Sequence, residues 1–478
     1  MDFAKAVAQA QDDERKNGIT LTENGAITNL STGEYTLDLF FRGGAMRRAP
    51  ESELRELFVR AFKESPELAT RTALFLRDVR QGAGERRIFR EYLRFLYDNA
   101  DKDFLRRVIA KVPELGRWDD LFVLPLHLWI DLVRDNLDNQ LLLKWLPREK
   151  SKKWPGLAHR IAKELGLSMK EYRKLRAKAN TVEQAMSANR WNVIEYQKVP
   201  SLAFNRYVNA FSRHNPDRFE KFLDEVRSGK KKINASVISP AEIFVAMKHN
   251  RPGALEQWEN LPDHLRKKGT RILPMIDVSG SMEGAYVSPS MSVLNAALGL
   301  GLYFADKQDE PYNGLVLTFS ESPRLVKLHG SVLDKAQQLL DIREHLNTNL
   351  MAAFDRILEF ALKNNLTNEE LPSHLLILSD MEFDSAIHCW DCNYNDAGTV
   401  FNHAKRKFES HGYTLPTVVF WNLASRHDNY PVRAGEHNTV LISGYNIHIV
   451  QKVVEGTLNE LTPWNFFIET ISNPRYNF

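Results

Sequence analysis

The sequence predicts two unlike parts in series: an all-α array of paired helices, then a doubly wound, Rossmann-like α/β domain. Three observations carry that reading. From about Ser52 to Lys268, apolar residues recur at helical spacing, with Gly or Pro breaks between segments. From Arg271 the period changes, and short apolar runs alternate with helical ones. The first of these runs, Arg271-Ile272-Leu273-Pro274-Met275-Ile276, leads into Asp277-Val278-Ser279-Gly280-Ser281, an acid and two hydroxyls at alternate positions on one tight loop. The 478 residues exceed one ordinary core and are enough for roughly two to four domains.

Residues 1–48 begin with a charged helix. They are then punctuated by Asn24-Gly25, Ser31-Thr32-Gly33 and Gly43-Gly44, which reads as a mostly irregular N-terminal arm able to hold a hairpin. Residues 49–268 are the helical part. Leu54, Leu57, Phe58, Ala61 and Phe62 form one apolar face, and similar faces recur over 69–79, 88–97, 104–112 and 121–137. An array of antiparallel helices, a solenoid of helix pairs, is the economical fold, although no clean sequence period is present.

Residues 269–456 form the α/β part. Strands are expected at 271–276, 314–320, 324–329, 374–380, 417–423 and 439–443. Helices are expected near 290–307, 331–345, 350–364, 397–410 and 447–455. The short link Glu321-Ser322-Pro323 makes the second and third strands a hairpin, so one edge is antiparallel. Residues 457–478 carry Trp464, Phe466, Phe467 and Tyr476, and so aromatic a tail is expected to pack back on a domain.

Composition bounds the function. A hydrophobic content of 43% and a charged content of 26% are those of a globular protein, and no apolar run approaches a membrane span. The polar start, Met1-Asp2-Phe3-Ala4-Lys5, is unlike an export signal, and with two Cys the expected compartment is the cytoplasm. The net charge of +3 hides a division. Residues 1–270 hold 49 Lys and Arg against 37 Asp and Glu; the remainder holds 15 against 24. A basic first part suits a polyanion and an acidic second part suits a cation. The basic excess is concentrated between Lys144 and Lys178. Lys150, Lys152, Lys153, Arg173, Lys174, Arg176 and Lys178 lie there, with Trp145, Trp154 and Tyr172 between them. Such a stretch suits nucleic acid, because cations meet phosphates and rings stack on bases; its bland alternative is a solvated helix face with the rings turned inward.

Carboxylate and hydroxyl oxygens converging where a strand ends are hard-cation chemistry, which suits Mg²⁺ first, and Mn²⁺ or Ca²⁺ as well. The spacing D-x-S-x-S resembles the metal-ion-dependent adhesion site (MIDAS) of von Willebrand factor A (vWA) domains. That resemblance implies Asp277, Ser279, Ser281, Thr348 and Asp380 as ligands, some of them through water. Thr348 precedes a helical pattern, and Asp380 ends the apolar run His374-Leu375-Leu376-Ile377-Leu378-Ser379.

A helical part followed by a vWA domain resembles the Ro-type ribonucleoproteins, in which a HEAT-like helical ring, the TROVE domain, precedes the vWA domain. The wording is more similar to an uncharacterised branch of phages, bacteria and plants. Phe75-Leu76-Arg77-Asp78-Val79-Arg80-Gln81-Gly82-Ala83-Gly84-Glu85-Arg86, Gly116-Arg117-Trp118-Asp119-Asp120-Leu121, Lys144-Trp145-Leu146-Pro147-Arg148-Glu149-Lys150-Ser151, Lys198-Val199-Pro200-Ser201 and Ser379-Asp380-Met381-Glu382-Phe383 carry that likeness. It implies a helical ring that binds small or misfolded RNA, with a metal-binding vWA domain closing the ring. The alternative is a protein-interaction scaffold whose metal accepts a partner's carboxylate.

Other motifs carry less. Arg80, Arg86, Arg87 and Arg117 read as a salt-bridged turn between helices, and Gly82-Ala83-Gly84 lacks the Lys-Ser/Thr of a phosphate loop. Cys389 and Cys392 have C-x-x-C spacing but lack two further zinc ligands. Glu382 and Asp384 are expected to shape the mouth of the metal loop. No nucleophile or base is paired with the metal residues, so no enzyme is expected.

Overall fold

The computed structural model describes residues 3–179, 181–235, 237–263, 265, 270–288, 290–320, 322–342, 349–383, 400–447, 449, 453 and 460–478. Among them no helix is long and apolar enough to cross a membrane.

The chain opens with helix Phe3–Asn17 and a hairpin of β1 (Ile19–Leu21) and β2 (Ile27–Asn29). The helices Tyr35–Gly43, Glu51–Glu64, Pro66–Arg77, Arg86–Asn99 and Lys102–Leu115 follow. Their boundaries are set locally. Ser65 accepts a hydrogen bond from the Leu68 amide at 3.2 Å, with Pro66 behind it in the first turn. Asp101 caps the Asp103 and Phe104 amides in the same way. Leu54, Leu57, Phe58 and Ala61 make the buried face of Glu51–Glu64. Further on, residues 182–233 gather a separate aromatic core around Tyr196, Phe204, Phe211 and Phe219. The helical part therefore packs as two units rather than as a uniform repeat.

The α/β part holds a six-stranded sheet. β3 (Ile272–Asp277) is central. β6 (Leu315–Phe319) lies on one side of it, followed by β7 (Leu325–Lys327). On the other side lie β8 (His374–Ser379), β9 (Thr417–Asn422) and β10 (Thr439–Ser443). All pairings are parallel except the β6–β7 hairpin. This is the doubly wound, vWA-type arrangement that the alternating pattern predicts. A two-stranded ribbon, β4 (Tyr286–Ser288) and β5 (Met291–Ser292), sits beyond β3. All six residues of β3 are buried, as a central strand covered on both faces requires.

One segment differs from the expected organisation. The N-terminal 48 residues are not a separate arm. Helix Tyr35–Gly43 is buried at all nine positions, between β10 and the helices Glu51–Glu64 and Pro66–Arg77. A helix covered on all sides lacks the one-faced pattern by which helices are read, and Gly43-Gly44 imitates a loop. The glycines serve close packing: a Cβ on Gly44 would lie 2.6 Å from Ser443 Oγ. The hairpin also joins the later part, with Asn29 bridging Tyr430.

The aromatic tail packs back as expected, and it does so on the helical part. Phe467 of helix Pro463–Ile471 packs edge-on to Phe40 at 5.3 Å, Tyr476 to Phe75 at 5.9 Å and Phe478 to Phe104 at 5.1 Å. Arg475 Nε donates to Asp78 at 2.6 Å.

The R-D-x-R and R-W-D-D stretches form a buried ion network. Asp120 accepts Arg77 Nε and Arg90 Nε, both at 2.7 Å, and the Arg117 amide at 2.9 Å. Asp119 pairs with Arg90 and Arg117, each at 2.8 Å. Charges taken out of water persist only when fully paired, so these residues bind helix to helix. Asp120→Ala is expected to leave two guanidinia uncompensated and to cost about 3–5 kcal/mol in urea unfolding, whereas Asp98→Ala, which breaks the exposed pair with Arg55, costs less than about 1 kcal/mol.

Asp38 provides a pH test. It is buried and accepts from Ser31 Oγ, the Thr32 amide and Thr32 Oγ1 at 2.6–2.8 Å. Burial pushes its carboxyl up to about 6, against these hydrogen bonds. The folded chain thus holds this proton more tightly than the unfolded chain. The contribution is full below about pH 4 and is lost as pH rises through about 6. Relative to Asp38→Asn, the parent is expected to lose about 3 kcal/mol of unfolding free energy as pH rises from below about 4 to about 7, and nothing further above that.

Candidate functional site

The strand order reverses on either side of β3, and crevices at such reversals, outside the carboxyl ends of strands, are where open α/β sheets bind ligands. Asp277 is the last residue of β3, and Asp380 directly follows β8. Both are 1% exposed. Asp277 Oδ1 accepts the Ser279 amide at 2.9 Å, and Oδ2 accepts Ser379 Oγ at 2.7 Å. Ser279 Oγ and Ser281 Oγ lie 3.1 Å apart. After Asp380 the chain turns through Met381, whose φ of 67° is left-handed, an uncommon conformation for a residue with a Cβ.

Burial, and after it the like charge of Asp380, push the Asp277 carboxyl well above the usual carboxylate range; bonds from Ser279 and Ser379 pull it down. Two acids in one dry site call for a cation. Arg426 supplies one positive charge, pairing with Asp380 and, at 2.9 Å, with Glu23. Burial works against that guanidinium, yet Asp380, then Glu23 and Glu382, hold it above its ordinary value.

Of the sequence-predicted ligands, Asp277, Ser279 and Ser281 share one loop, and Asp380 is close enough to Asp277 to shift its proton affinity. Thr348 lies outside the described residues, as do Asp384, Cys389 and Cys392. The donor set fits a hard cation: carboxylate and hydroxyl oxygens, with no sulfur or imidazole among them.

The mouth contains residues that sequence reasoning missed. The β1–β2 turn lies against it. The Glu23 amide donates to Glu382 Oε2 at 2.7 Å, and Asn24 Nδ2 donates to the Glu382 carbonyl at 2.7 Å. His427 Nδ1 lies 3.1 Å from Glu382 Oε1, and ligand atoms of Glu23, Glu382 and His427 fall within 4.8 Å of one another. Nothing local marks Glu23, which is hundreds of positions away. Arg426 and His427 carried one usable signal, since they follow the carboxyl end of β9.

The basic stretch takes a definite form. The loop after helix Gln140–Trp145 is bound to helix Met169–Ala177. Tyr172 Oη donates to the Pro147 carbonyl at 2.9 Å, Arg176 Nε to the Leu146 carbonyl at 2.9 Å, and Arg173 pairs with Glu149 at 2.8 Å. Lys150, Lys152, Lys153, Arg173, Lys174 and Lys178 are exposed, and Arg176 is half-buried. The interleaved rings are not a stacking platform. Tyr172 is fully buried, Trp154 packs edge-on to Phe122, and Trp145 carries the Arg117 guanidinium 3.7 Å from its ring centre. Each ring is drawn into the core or under a cation, because burying its apolar area is worth more than leaving it in water.

Fold and site together define a helical protein with a carboxyl-terminal vWA-type domain, the order of parts that the sequence resemblance implies. Residues 272–462 match a family described as a domain of unknown function (DUF7788), and residues 22–108 and 147–271 match another domain of unknown function (DUF2828). An uncharacterized protein of Acanthamoeba polyphaga mimivirus is 26% identical over 515 residues, spanning 95% of this chain and 87% of that protein. The crystal structure of the Ro (RSR) protein of Deinococcus radiodurans aligns over 88% of this chain and 90% of that one, at 14% identity and a TM-score of 0.36.

Proposed function

We propose that this protein binds RNA through its helical part and holds a divalent cation on the vWA-type loop, acting by binding and not by catalysis. One observation carries the RNA reading. The 146–156 loop and helix Met169–Ala177 are tied together, so cations from two separate segments share one surface. Among the described residues, Lys150, Lys152, Lys174 and Lys178 on that surface form no ion pair with a carboxylate. Their charge is left for phosphates, whose neutralisation releases counterions.

The metal reading rests on Asp277, Ser279, Ser281 and Asp380. A bound Mg²⁺ would supply the second positive charge that two buried acids need. The continuous core between the two parts supports a role for the vWA-type domain in holding the helical part in a single shape. The alternative, a partner's carboxylate on the metal, has no specific observation in its favour, since Arg426 and Glu23 of the chain itself already stand beside Asp380.

Reversing charge at Lys150, Lys152, Lys174 and Lys178 is expected to weaken binding of a single-stranded RNA. The slope of log affinity against log salt should become shallower by up to about three, since each lost phosphate contact removes roughly 0.7. An unchanged slope would sink the RNA reading at this surface.

Asp277→Asn is expected to weaken Mn²⁺ binding, followed by electron paramagnetic resonance, at least about tenfold, since even groups that merely orient a ligand are worth that much. The far-ultraviolet circular dichroism should stay as in the parent. Equal Mn²⁺ affinity in both proteins would rule the loop out as the site.

A further inference from the structure

A cavity of about 680 Å³ opens beside the basic surface, between the helices Gln140–Trp145, Met169–Ala177, Val182–Ser187 and Ser201–His214. Its charge is one-sided. Lys144, Arg148, Arg173, Arg176 and Arg206 line it, against the single carboxylate of Glu183. Two of these cations are already engaged: Lys144 with Glu183 at 3.3 Å, and Arg173 with Glu149 at 2.8 Å. Among the described residues the other three form no ion pair. The Arg176 guanidinium is anchored on a neutral carbonyl, that of Leu146, at 2.9 Å. Burial and, more weakly, the like charge of Arg148 hold it below its ordinary value, against an opposing pull from Tyr172. Arg148 and Arg206 are exposed.

Protein surfaces rarely line a concavity with several guanidinia and only one carboxylate, because the like charges repel one another. Such an arrangement is stable against an anion, and guanidinium forks match the paired oxygens of phosphate. The space exceeds what inorganic phosphate needs and falls within the range of small-ligand sites. Leu143 and Trp145 add an apolar and aromatic wall beside the cations. Phosphate recognition next to an apolar wall is the chemistry of a nucleotide.

We propose that this cavity binds a phosphorylated nucleotide unit, either a free nucleoside polyphosphate or the 5′-phosphorylated end of an RNA strand. Arg148, Arg176 and Arg206 take the phosphates, and the wall formed by Leu143 and the part of Trp145 that Arg117 leaves uncovered lies beside the base. In its RNA form the proposal rests on the RNA-binding reading above; in its free-nucleotide form it does not. No contiguous motif marks the site, because its cations come from separate segments.

The test uses the full chain and three probes: a ten-nucleotide RNA with a 5′-phosphate, the same RNA with a 5′-hydroxyl, and ATP. The phosphorylated strand is expected to bind about tenfold more tightly than the hydroxyl form, or ATP to bind at a stoichiometry of one. Arg148→Ala combined with Arg206→Ala should abolish that phosphate-dependent advantage or the ATP binding. Both side chains are exposed and, among the described residues, form no ion pair; Arg206 does bond the Tyr207 side chain, so an unchanged far-ultraviolet circular dichroism of the double variant is required for the comparison. Arg148→Lys should restore only part of the effect, since it keeps the charge and loses the fork.

Equal binding of the two RNA forms with no ATP binding would overturn the cavity proposal and leave the RNA reading standing. ATP binding with neither RNA bound would support the cavity and overturn the RNA reading. No binding of any probe would overturn both. Displacement of ATP by poly-glutamate of matched charge as readily as by a second nucleotide would also overturn the cavity proposal, in favour of an acidic peptide site.

Discussion

Everything in this molecule depends on the close approach made by one helix. Val293–Asp306 is buried along almost its whole length. One side lies on the sheet and the other on helix Pro240–Lys248 of the helical part. A Cβ on Gly301 would lie 2.4 Å from Ile276 Cδ1, and one on Gly299 would lie 2.5 Å from the Ala241 backbone. Only hydrogen at those two positions lets three layers meet at that spacing. The contact holds β3 in place, and with it the loop that follows. It also extends a single core from the helical part into the sheet, where Phe244, Leu298 and Ile276 belong to the same buried cluster.

That shared core explains why the two ends of the chain close on the opposite part. The first residues reach forward: Arg42 is buried and pairs with Asp428, and Arg47 donates to Tyr445 Oη at 2.6 Å. The last residues reach back, through Arg475 to Asp78 and Glu114. The two parts are fastened by a few specific, partly buried pairs that run in both directions, Arg42 of the first part to Asp428 of the second and Arg475 of the second to Asp78 of the first. Pairs of this kind lock orientation, because breaking one strands its partner out of water. Family-like stretches that could be taken for a binding surface, such as Arg77-Asp78 and Arg117-Trp118-Asp119-Asp120, are consumed in this fastening.

The two candidate sites sit at opposite electrostatic extremes. At the carboxyl ends of β3 and β8, acids are buried together and are partly balanced by Arg426. Beside helix Met169–Ala177, guanidinia gather with few acids. In each place the fold accepts like-charge repulsion that a merely structural surface would avoid, and both places are concave or dry enough for a counter-charge to be held strongly.

What the sequence determined by itself was local. The strands announce themselves as apolar runs, because a strand buried on both faces tolerates little else. The loop Asp277-Val278-Ser279-Gly280-Ser281 is legible because its oxygens come from one short segment. The helices Glu51–Glu64, Arg86–Asn99 and Lys102–Leu115 show one apolar face each. Only the tertiary structure decided what depends on distant partners. Helix Tyr35–Gly43 was hidden because complete burial erases amphipathic spacing. Glu23, Arg426 and His427 reach the mouth of the Asp277–Ser281 loop only through the β1–β2 hairpin and the turn after β9. The rings of Trp154 and Tyr172, which alternate with cations along the chain, were drawn against the core by packing, and that of Trp145 was covered on one face by Arg117. The cations of the cavity were assembled from four segments. In each case the property belongs to a spatial neighbourhood, and a one-dimensional pattern records neighbours in space only where they are also neighbours along the chain.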